Sequence, residues 1–299
     1  MKKTNFLILV FGLLLTTSCK NLSNPQLSDE EVWKLGWRLI ENSMDDKLVL
    51  AESQFDTLQS LSKNIDTKFL MTGIEIKSKL NKSEEVKDLL SVQEQEILNE
   101  LCSQDFLKGS IHCESSKEVK PKNELLQLEI IKMYINDQYV RSNLMEDVLK
   151  RYNLVKSEVI VDSTGINTDE RNRKRLKEII DEFGFPNEDM VGKDAMDGIF
   201  YLIQHSDGDK VWQKSQLSNI EKAVKKGDMD GHQYAYLYDR IKVNEGEKQL
   251  YGTQFSNVNT VNKTVKLAET EDLERLDKRR REVGMMPIEM YKRIMLKHS

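Results

Sequence analysis

The chain has 299 residues, 38% of them hydrophobic and 32% charged, and it contains only 14 glycines and 4 prolines. So little glycine and proline leaves few turn residues, which excludes an all-β fold of many short strands and favours helices. The net charge of −5 lacks the basic surplus on which most nucleic-acid binding depends. We therefore expect a mainly α protein with no nucleic-acid partner.

The first residues have the pattern of a secretion signal. Lys2 and Lys3 precede an apolar run from Phe6 to Leu15, which is too short to span a bilayer but has the length of a signal-peptide core. Small polar residues then lead to Cys19. This pattern resembles the bacterial lipoprotein signal, in which the cysteine becomes the acylated N-terminus. An ordinary secreted protein cleaved nearby and an uncleaved transmembrane anchor are the alternatives.

The lipoprotein resemblance implies a location for the protein. It places a signal peptide over residues 1–18 and a lipidated tether over residues 19–27, with Cys19 as the lipidation site. Two or three acyl chains hold a protein stably on a membrane, so no spanning helix is needed. We expect the protein to lie in the cell envelope, anchored to a membrane and facing away from the cytoplasm.

Residues 28–113 are expected to form a helical N-terminal module. Ser28 and Glu31 have the spacing of a capping box, and apolar residues then recur three and four positions apart, as on the buried face of a helix. Pairs such as Leu35 with Phe69 recur 34 residues apart, which resembles tetratricopeptide repeats. A generic array of helical hairpins is the simpler interpretation, because other positions break this period. Either arrangement would offer a surface to a protein partner.

The two remaining cysteines, Cys102 and Cys113, lie eleven positions apart. In an extracytoplasmic protein they can oxidise, so a disulfide is the favoured state. His112 next to Cys113 also permits a zinc interpretation, but only three candidate ligands are in view and two of them are adjacent. Free thiols are the third alternative.

Residues 122–299 are expected to form a C-terminal helical domain with one small β-hairpin. Pro121 lies in the polar stretch that separates this domain from the N-terminal module. The predicted helices cover residues 122–152, 167–184, 194–205, 211–226, 230–243, 272–283 and 288–297. Residues 248–255 and 262–267 have the composition of two strands joined by a polar turn.

Polar side chains cluster in several segments of this domain. The segments read Asp-Gln-x-x-Arg, Gln-His-x-Asp, Ala-Tyr-Leu-x-Asp-Arg and Gln-x-Tyr-Gly-Thr-Gln, with an Asn-containing helix ending in Gly-x-Pro and a final Arg-Arg-x-x-x-Gly. The residues that carry them are Asp137, Gln138, Arg141, Asn172, Leu176, Gly184, Pro186, Gln204, His205, Asp207, Ala235, Tyr236, Leu237, Asp239, Arg240, Gln249, Tyr251, Gly252, Thr253, Gln254, Arg279, Arg280 and Gly284. In this order the motifs resemble a bacterial family of domains of unknown function. The resemblance implies a shared polar site and no known activity.

The candidate site residues come from these motifs. We expect Arg141, His205 and Arg240 to converge with the strand from Tyr251 to Gln254 on one pocket, where His205 and Asp207 are the candidate catalytic residues. The predicted ligand-binding residues are Asp137, Gln138, Arg141, Asn172, Gln204, Asp239, Arg240, Gln249, Tyr251, Thr253 and Gln254. Two arginines and an imidazole suit an anionic or carbohydrate-like ligand. In the alternative, Asp137 with Arg141 and Asp239 with Arg240 are structural ion pairs, and His205 caps its own helix.

These observations leave two hypotheses for function. The sequence has no phosphate-binding loop, dinucleotide fingerprint, zinc-protease motif or complete calcium loop, so we expect neither a cofactor nor a metal. The first hypothesis is a protein that binds a ligand or a protein partner without catalysis. The second is a hydrolase or lyase-like enzyme that uses His205 as general acid or base on a polar or anionic substrate.

Overall fold

The computed structural model describes residues 27–62, 65–107, 110–114, 120–141, 143–160 and 165–298. The predicted signal peptide, most of the tether and Cys19 lie outside the described residues, so the structure says nothing about them. No helix among the described residues combines the length and the apolar character needed to cross a bilayer.

The prediction of a mainly α fold with one small hairpin is confirmed. The α-helices of the described residues are α1 (Asp29–Met44), α2 (Leu48–Leu61), α3 (Thr67–Lys79), α4 (Ser83–Ser91), α5 (Gln95–Cys102), α6 (Glu124–Tyr139), α7 (Glu146–Arg151), α8 (Lys156–Val159), α9 (Gly165–Phe183), α10 (Glu188–Val191), α11 (Lys193–Gln204), α12 (Lys210–Ser215), α13 (Leu217–Lys226), α14 (Gly231–Asn244), α15 (Leu276–Glu282) and α16 (Ile288–His298). Their sheet has two antiparallel strands, β1 (Phe255–Asn259) and β2 (Thr264–Leu267). Short 3₁₀ turns cover Asp105–Leu107, Ile111–Cys113, Asp207–Asp209 and Leu273–Arg275.

The N-terminal helices pack closely because two glycines remove side chains at their contacts. α1 begins at the predicted capping box, in which Ser28 caps the helix and Glu31 bonds back to its amide. A Cβ at Gly36 would lie 2.5 Å from the Phe69 ring, and one at Gly73 would lie 2.3 Å from the Phe55 ring. The aromatic rings of α2 and α3 therefore rest directly on neighbouring helix backbone, in a core that includes Trp37.

Cys102 and Cys113 are joined by a disulfide, with their Cα atoms 5.6 Å apart. The bond connects the end of α5 to the 3₁₀ turn Ile111–Cys113, and both cysteines pack against the N-terminal core. It closes a short loop, so it restricts the unfolded chain there.

A second hydrophobic core lies in the C-terminal half, and α11 passes through its centre. Ile199 and Ile203 on α11 are fully buried, together with Ile130 and Ile131 on α6 and Leu176 on α9. α11 packs against α6, α9, α10 and α14. This arrangement brings the C-terminal ends of α6 and α11 near α9 and α14, and those ends form the candidate site.

The last helix returns to the N-terminal core. Met290 on α16 is buried in the cluster that contains Trp33, Phe55 and Phe69. The Trp33 indole Nε1–H donates to the carbonyl of Met285, just before α16, at 3.1 Å. The final segment of the chain therefore completes the packing of its first helices.

Two segments differ from the sequence-based expectations. The helix predicted over residues 122–152 stops at Tyr139, and a new helix starts at Glu146. Between them, Met145 adopts a left-handed φ of 53°. Its backbone N–H donates a hydrogen bond to the side-chain oxygen of Asn143. Asparagine competes with helix hydrogen bonds in this way. The first predicted strand is also displaced, because the regular strand β1 begins only at Phe255. Before it, Gln249 forms a single parallel bridge with Thr270, and the chain then bends through residues 250–253.

Candidate functional site

A pocket of about 430 Å³ opens at the C-terminal ends of α6 and α11. Its lining residues are Arg141, Asp169, Glu170, Arg173, His205, Asp207, Gly208 and Arg240. Four of them, Arg141, His205, Asp207 and Arg240, are residues that the sequence singled out. Apart from Gly208, every lining residue has an ionisable side chain, so the lining contains no apolar side chain.

His205 is held by a buried carboxylate. Its Nδ1 lies 2.8 Å and 3.0 Å from the two oxygens of Asp137, whose side chain is only 1% exposed. A carboxylate acceptor fixes the tautomer in which Nδ1 carries the proton. Because His205 lines the pocket with Nδ1 occupied, Nε2 is the ring nitrogen left for a ligand.

Asp137 joins three of the predicted residues into one network. Besides His205, it accepts hydrogen bonds from Gln138 Nε2 at 2.9 Å and from Arg141 Nη1 at 3.2 Å. Arg141 also makes a bidentate pair with Asp169 on α9, at 2.8 Å and 2.9 Å. The guanidinium is therefore held between two carboxylates, one buried and one at the pocket wall.

Arg240 pairs with Asp207 rather than with its neighbour Asp239. Its Nε donates to Asp207 at 3.0 Å and its Nη2 to the second carboxylate oxygen. Gln213 and Asn244 donate to the same carboxylate at 3.1 Å and 3.2 Å. Burial alone would raise the pKa of Asp207, but the Arg240 guanidinium and these donors outweigh it and hold the pKa below its usual value.

One face of α9 carries charged side chains at four-residue intervals. Asp169 pairs with Arg141, and Lys177 pairs with Asp209 at 2.7 Å. Arg173 lies between them, and its Nη1 would be 2.8 Å from a Cβ built at Gly208. Sequence reasoning missed Asp169, Glu170 and Arg173; the spacing was visible, but such a pattern is more often a solvated helix face.

The predicted residues of the 249–254 segment do not line the pocket. Instead the fully buried Asp239 carboxylate accepts backbone N–H bonds from Leu250 at 2.7 Å, Tyr251 at 3.0 Å and Thr253 at 3.0 Å. Burial raises the pKa of Asp239, and these amides partly offset that effect. Asp239 therefore organises a turn, while the next residue, Arg240, reaches the pocket.

Gln249 and Arg280 complete this turn. The Gln249 amide donates to the carbonyl of Gln254 at 2.9 Å and accepts from the Gln254 amide at 2.8 Å. Arg280, which is fully buried, donates to the carbonyls of Tyr251 and Met286, both at 2.7 Å. The side chain of Gln254 turns back to Thr253 at 3.0 Å.

Asn172 and Gln204 have different surroundings. The Asn172 amide is buried and donates to the Met133 carbonyl at 3.3 Å, which ties α9 to α6. The Gln204 Oε1 atom is buried with no hydrogen-bond partner among the described residues. Neither residue lines the pocket. The described residues also contain no group of three or more histidine, cysteine or acidic side chains placed to hold a metal ion.

The fold and site define a mainly α protein with a highly charged pocket between packed helices. The chain belongs to DUF6624, a family of unknown function, whose model matches residues 124–298. Every residue that lines the pocket lies inside this match. A search of the curated proteins and a search of the solved structures each found no match to the chain.

Proposed function

We propose that the protein binds a small, highly charged ligand in the pocket between α6, α9, α11 and α14. The observation that carries this proposal is the convergence of Arg141, His205 and Arg240, which come from three separate segments. Convergent polar groups in a concave site are what a ligand site requires. The size of the pocket is within the range of small-molecule sites.

The lining supports a polar ligand rather than an apolar one. Arg141 and Arg240 are each fixed by a carboxylate, so the charged lining is in place before a ligand arrives, which reduces the cost of binding. An aromatic or aliphatic ligand would find no apolar side chain in this lining.

The proposal is tested by the small molecules that the purified protein retains. Protein from which residues 1–19 are removed is analysed by native mass spectrometry and by a thermal-shift screen of charged metabolites. The variants are Arg240→Gln in the pocket and Arg38→Gln on the exposed face of α1 as control. We expect ligand mass or thermal protection in the wild type and control, and its loss in Arg240→Gln. Equal behaviour of all three proteins, or no ligand in the screen, would contradict the proposal.

We propose catalysis as a second function, on the strength of the Asp137–His205 pair. An imidazole oriented through Nδ1 by a carboxylate can take or give a proton at Nε2, as a general acid or base does. Asp207, bonded to Arg240, would position that guanidinium next to the reacting group. A hydrolase or lyase-like reaction on a polar or anionic substrate fits these groups.

Catalysis and binding are separated by the variant His205→Gln. For any ligand that the first experiment identifies, an enzyme should lose turnover in this variant by about 10²-fold or more while still binding. Unchanged product formation would exclude His205 as acid or base.

We further propose that the protein is a lipoprotein of the cell envelope, held on a membrane through Cys19 and facing away from the cytoplasm. The nine-residue separation between Cys19 and Ser28 would span at most about 30 Å. Metabolic labelling with palmitate should label the wild type and not Cys19→Ala, and globomycin should cause the precursor to accumulate. An unlabelled wild type would contradict the proposal.

The N-terminal helices are proposed as a surface for a protein partner. The support is the pair Val49 and Leu50 on α2, whose side chains are 75% and 51% exposed. Crosslinking in whole cells from position 49 should capture a partner that the exposed control position Lys87 does not.

A further inference from the structure

One of the three guanidinium groups in the pocket lacks a carboxylate partner. Arg141 is bidentate to Asp169, and Arg240 is paired with Asp207. Arg173 forms no ion pair and no hydrogen bond with any residue that the structure describes, although it lies in the same lining. The positive charge of Arg173 has only a small effect on the pKa of Asp209. Hydrogen bonds from Lys177 and from the Trp212 amide lower this pKa more strongly than Arg173 does.

The surroundings of Arg173 hold it in the pocket. Its neighbours on the same helix face, Asp169 and Lys177, are fixed by contacts to Arg141 and Asp209. Between those contacts the guanidinium rests against Gly208, where any Cβ would lie 2.8 Å from Nη1. A side chain at Gly208 would therefore require the guanidinium, the far end of a flexible side chain, to shift from this position.

The difference in pairing determines which arginine can bind a ligand anion at the lowest cost in free energy. To bind an oxyanion, Arg141 or Arg240 would have to give up a hydrogen-bonded carboxylate or share it with a second negative group, which costs free energy. Arg173 has no carboxylate to give up among the residues that the structure describes. A guanidinium binds carboxylate or phosphate oxygens through two parallel N–H donors.

We propose that Arg173 is the residue that binds an oxyanion of the ligand, either a phosphate group or a carboxylate. This inference rests on the proposed ligand-binding function. In it, Arg141 and Arg240 are positioning residues that keep Asp137 with His205 and Asp207 in place, and Arg173 selects the charge of the ligand.

The test uses inorganic phosphate and acetate as separate probes, titrated calorimetrically into the mature protein at low, matched ionic strength, because salt screens such contacts. The variants are Arg173→Gln, which removes the donor pair, and Gly208→Ala, which keeps the charge and displaces the guanidinium. Lys174→Gln is the control, since it removes one positive charge from the adjacent exposed position of α9. Thermal melts check folding, which Arg173→Gln should leave unchanged because no described ion pair is lost.

We expect one probe to bind the wild type and the control equally, and both test variants to weaken its binding at least about tenfold. Binding of phosphate alone would assign a phosphate group, and binding of acetate alone would assign a carboxylate. Equal weakening in Lys174→Gln would show only general charge attraction and would overturn the inference. Unchanged probe binding in Arg173→Gln, together with lost binding in Arg240→Gln, would also overturn the inference. That result would leave the proposed ligand-binding function intact. Binding of neither probe would overturn the oxyanion assignment, and the native mass spectrometry then judges the proposed function separately.

Discussion

Asp137 is the residue on which the pocket depends most. One buried carboxylate accepts hydrogen bonds from Gln138, Arg141 and His205, which belong to α6, the loop after it and the end of α11. A carboxylate with several charged or polar donors is stable in a buried place, whereas its removal leaves those donors without an acceptor.

Replacing Asp137 should therefore destabilise the fold. We expect Asp137→Ala to lower the free energy of unfolding by about 1–3 kcal/mol, because it leaves His205 Nδ1 and the Gln138 amide without their acceptor. Arg141 keeps its pair with Asp169. Urea unfolding followed by circular dichroism measures this. Asp169→Ala is the control, since its more exposed pair with Arg141 should contribute only about 1 kcal/mol or less. If both variants lost the same free energy of unfolding, the buried Asp137 carboxylate would contribute no more to stability than an exposed ion pair does.

Asp197 on α11 gives a prediction about pH. Burial and the nearby carboxylates of Asp194 and Asp230 raise its pKa to about 6, while Gln233 donates a hydrogen bond at 2.8 Å. Because the pKa is higher in the folded than in the unfolded chain, the stability that protonated Asp197 contributes is lost as pH rises through about 6.

Asp197→Asn should therefore stabilise the protein more at neutral pH than in acid. The expected gain is on the order of 1–3 kcal/mol at about pH 7.5, and it should fall to about 0.5 kcal/mol near pH 4, where the folded carboxyl is protonated and about half of the unfolded chains are. Urea unfolding at the two pH values measures it, with the exposed Asp189→Asn as control. A gain of the same size at both values would mean that the carboxylate charge is not its cause.

The residues of the candidate site could be predicted only in part. Arg141, His205, Asp207 and Arg240 were identified from motifs and are brought together by the fold. Asp239 was grouped with them because it shares a motif with Arg240, but neighbours on a helix point in different directions, so Asp239 faces the 250–253 segment and Arg240 the pocket. Gln249 was grouped with them from a separate motif, and its side chain bonds within its own segment instead. Arg173 was not identified, because a charged helix position shows its function only when its partners are known.

At the scale of elements, glycines set how closely the N-terminal helices approach. Gly73 on α3 lies under the Phe55 ring of α2 with no space for a methyl group. We expect Gly73→Ala to reduce the free energy of unfolding by about 1–3 kcal/mol, since the ring must move within a packed core. This is opposite in sign to the usual benefit of alanine in a helix.

The comparison for Gly73→Ala is Ser78→Ala in the same helix, which adds no atoms. Thermal or urea unfolding of both variants distinguishes the two effects. If Gly73→Ala raised stability, the contact with Phe55 would not be tight, and helix propensity alone would govern the position.

Helix ends were predictable where a local signal fixes them. The capping box at Ser28 and the left-handed glycines at positions 184, 227 and 246 mark real helix ends. The break after Tyr139 and the late start of β1 at Phe255 were not predicted. The break coincides with a local side-chain contact of Asn143, which apolar periodicity does not register. The segment before β1 is held by the Asp239 carboxylate on α14, a contact that one-dimensional periodicity does not contain.

On the scale of the whole molecule, α16 connects the two halves. Arg293 on this helix pairs with Glu41 on α1 at 2.8 Å and 3.0 Å, and Met290 is buried among N-terminal side chains. The helix belongs to the region matched by the family but completes a core outside that region.

Met290→Ala should therefore loosen the N-terminal helices although the residue lies in the C-terminal part of the sequence. We expect a loss of about 2–4 kcal/mol from the cavity it leaves, and faster hydrogen exchange in α1 and α3 than in α6 or α11. Exchange measured by mass spectrometry tests this, with the exposed Glu289→Ala as control. Protection that fell only around α16 would show that the two halves are independent.

The contact between Trp33 and Met285 joins positions 252 residues apart, and this has a consequence for biogenesis. Ribosomes make the chain from the N-terminus, so α1 to α3 exist for most of synthesis without the helix that closes them. The part of their core that Met290 covers stays exposed until α16 has been made. A product that lacks α16 would therefore expose apolar surface on its N-terminal helices, and such surface favours aggregation.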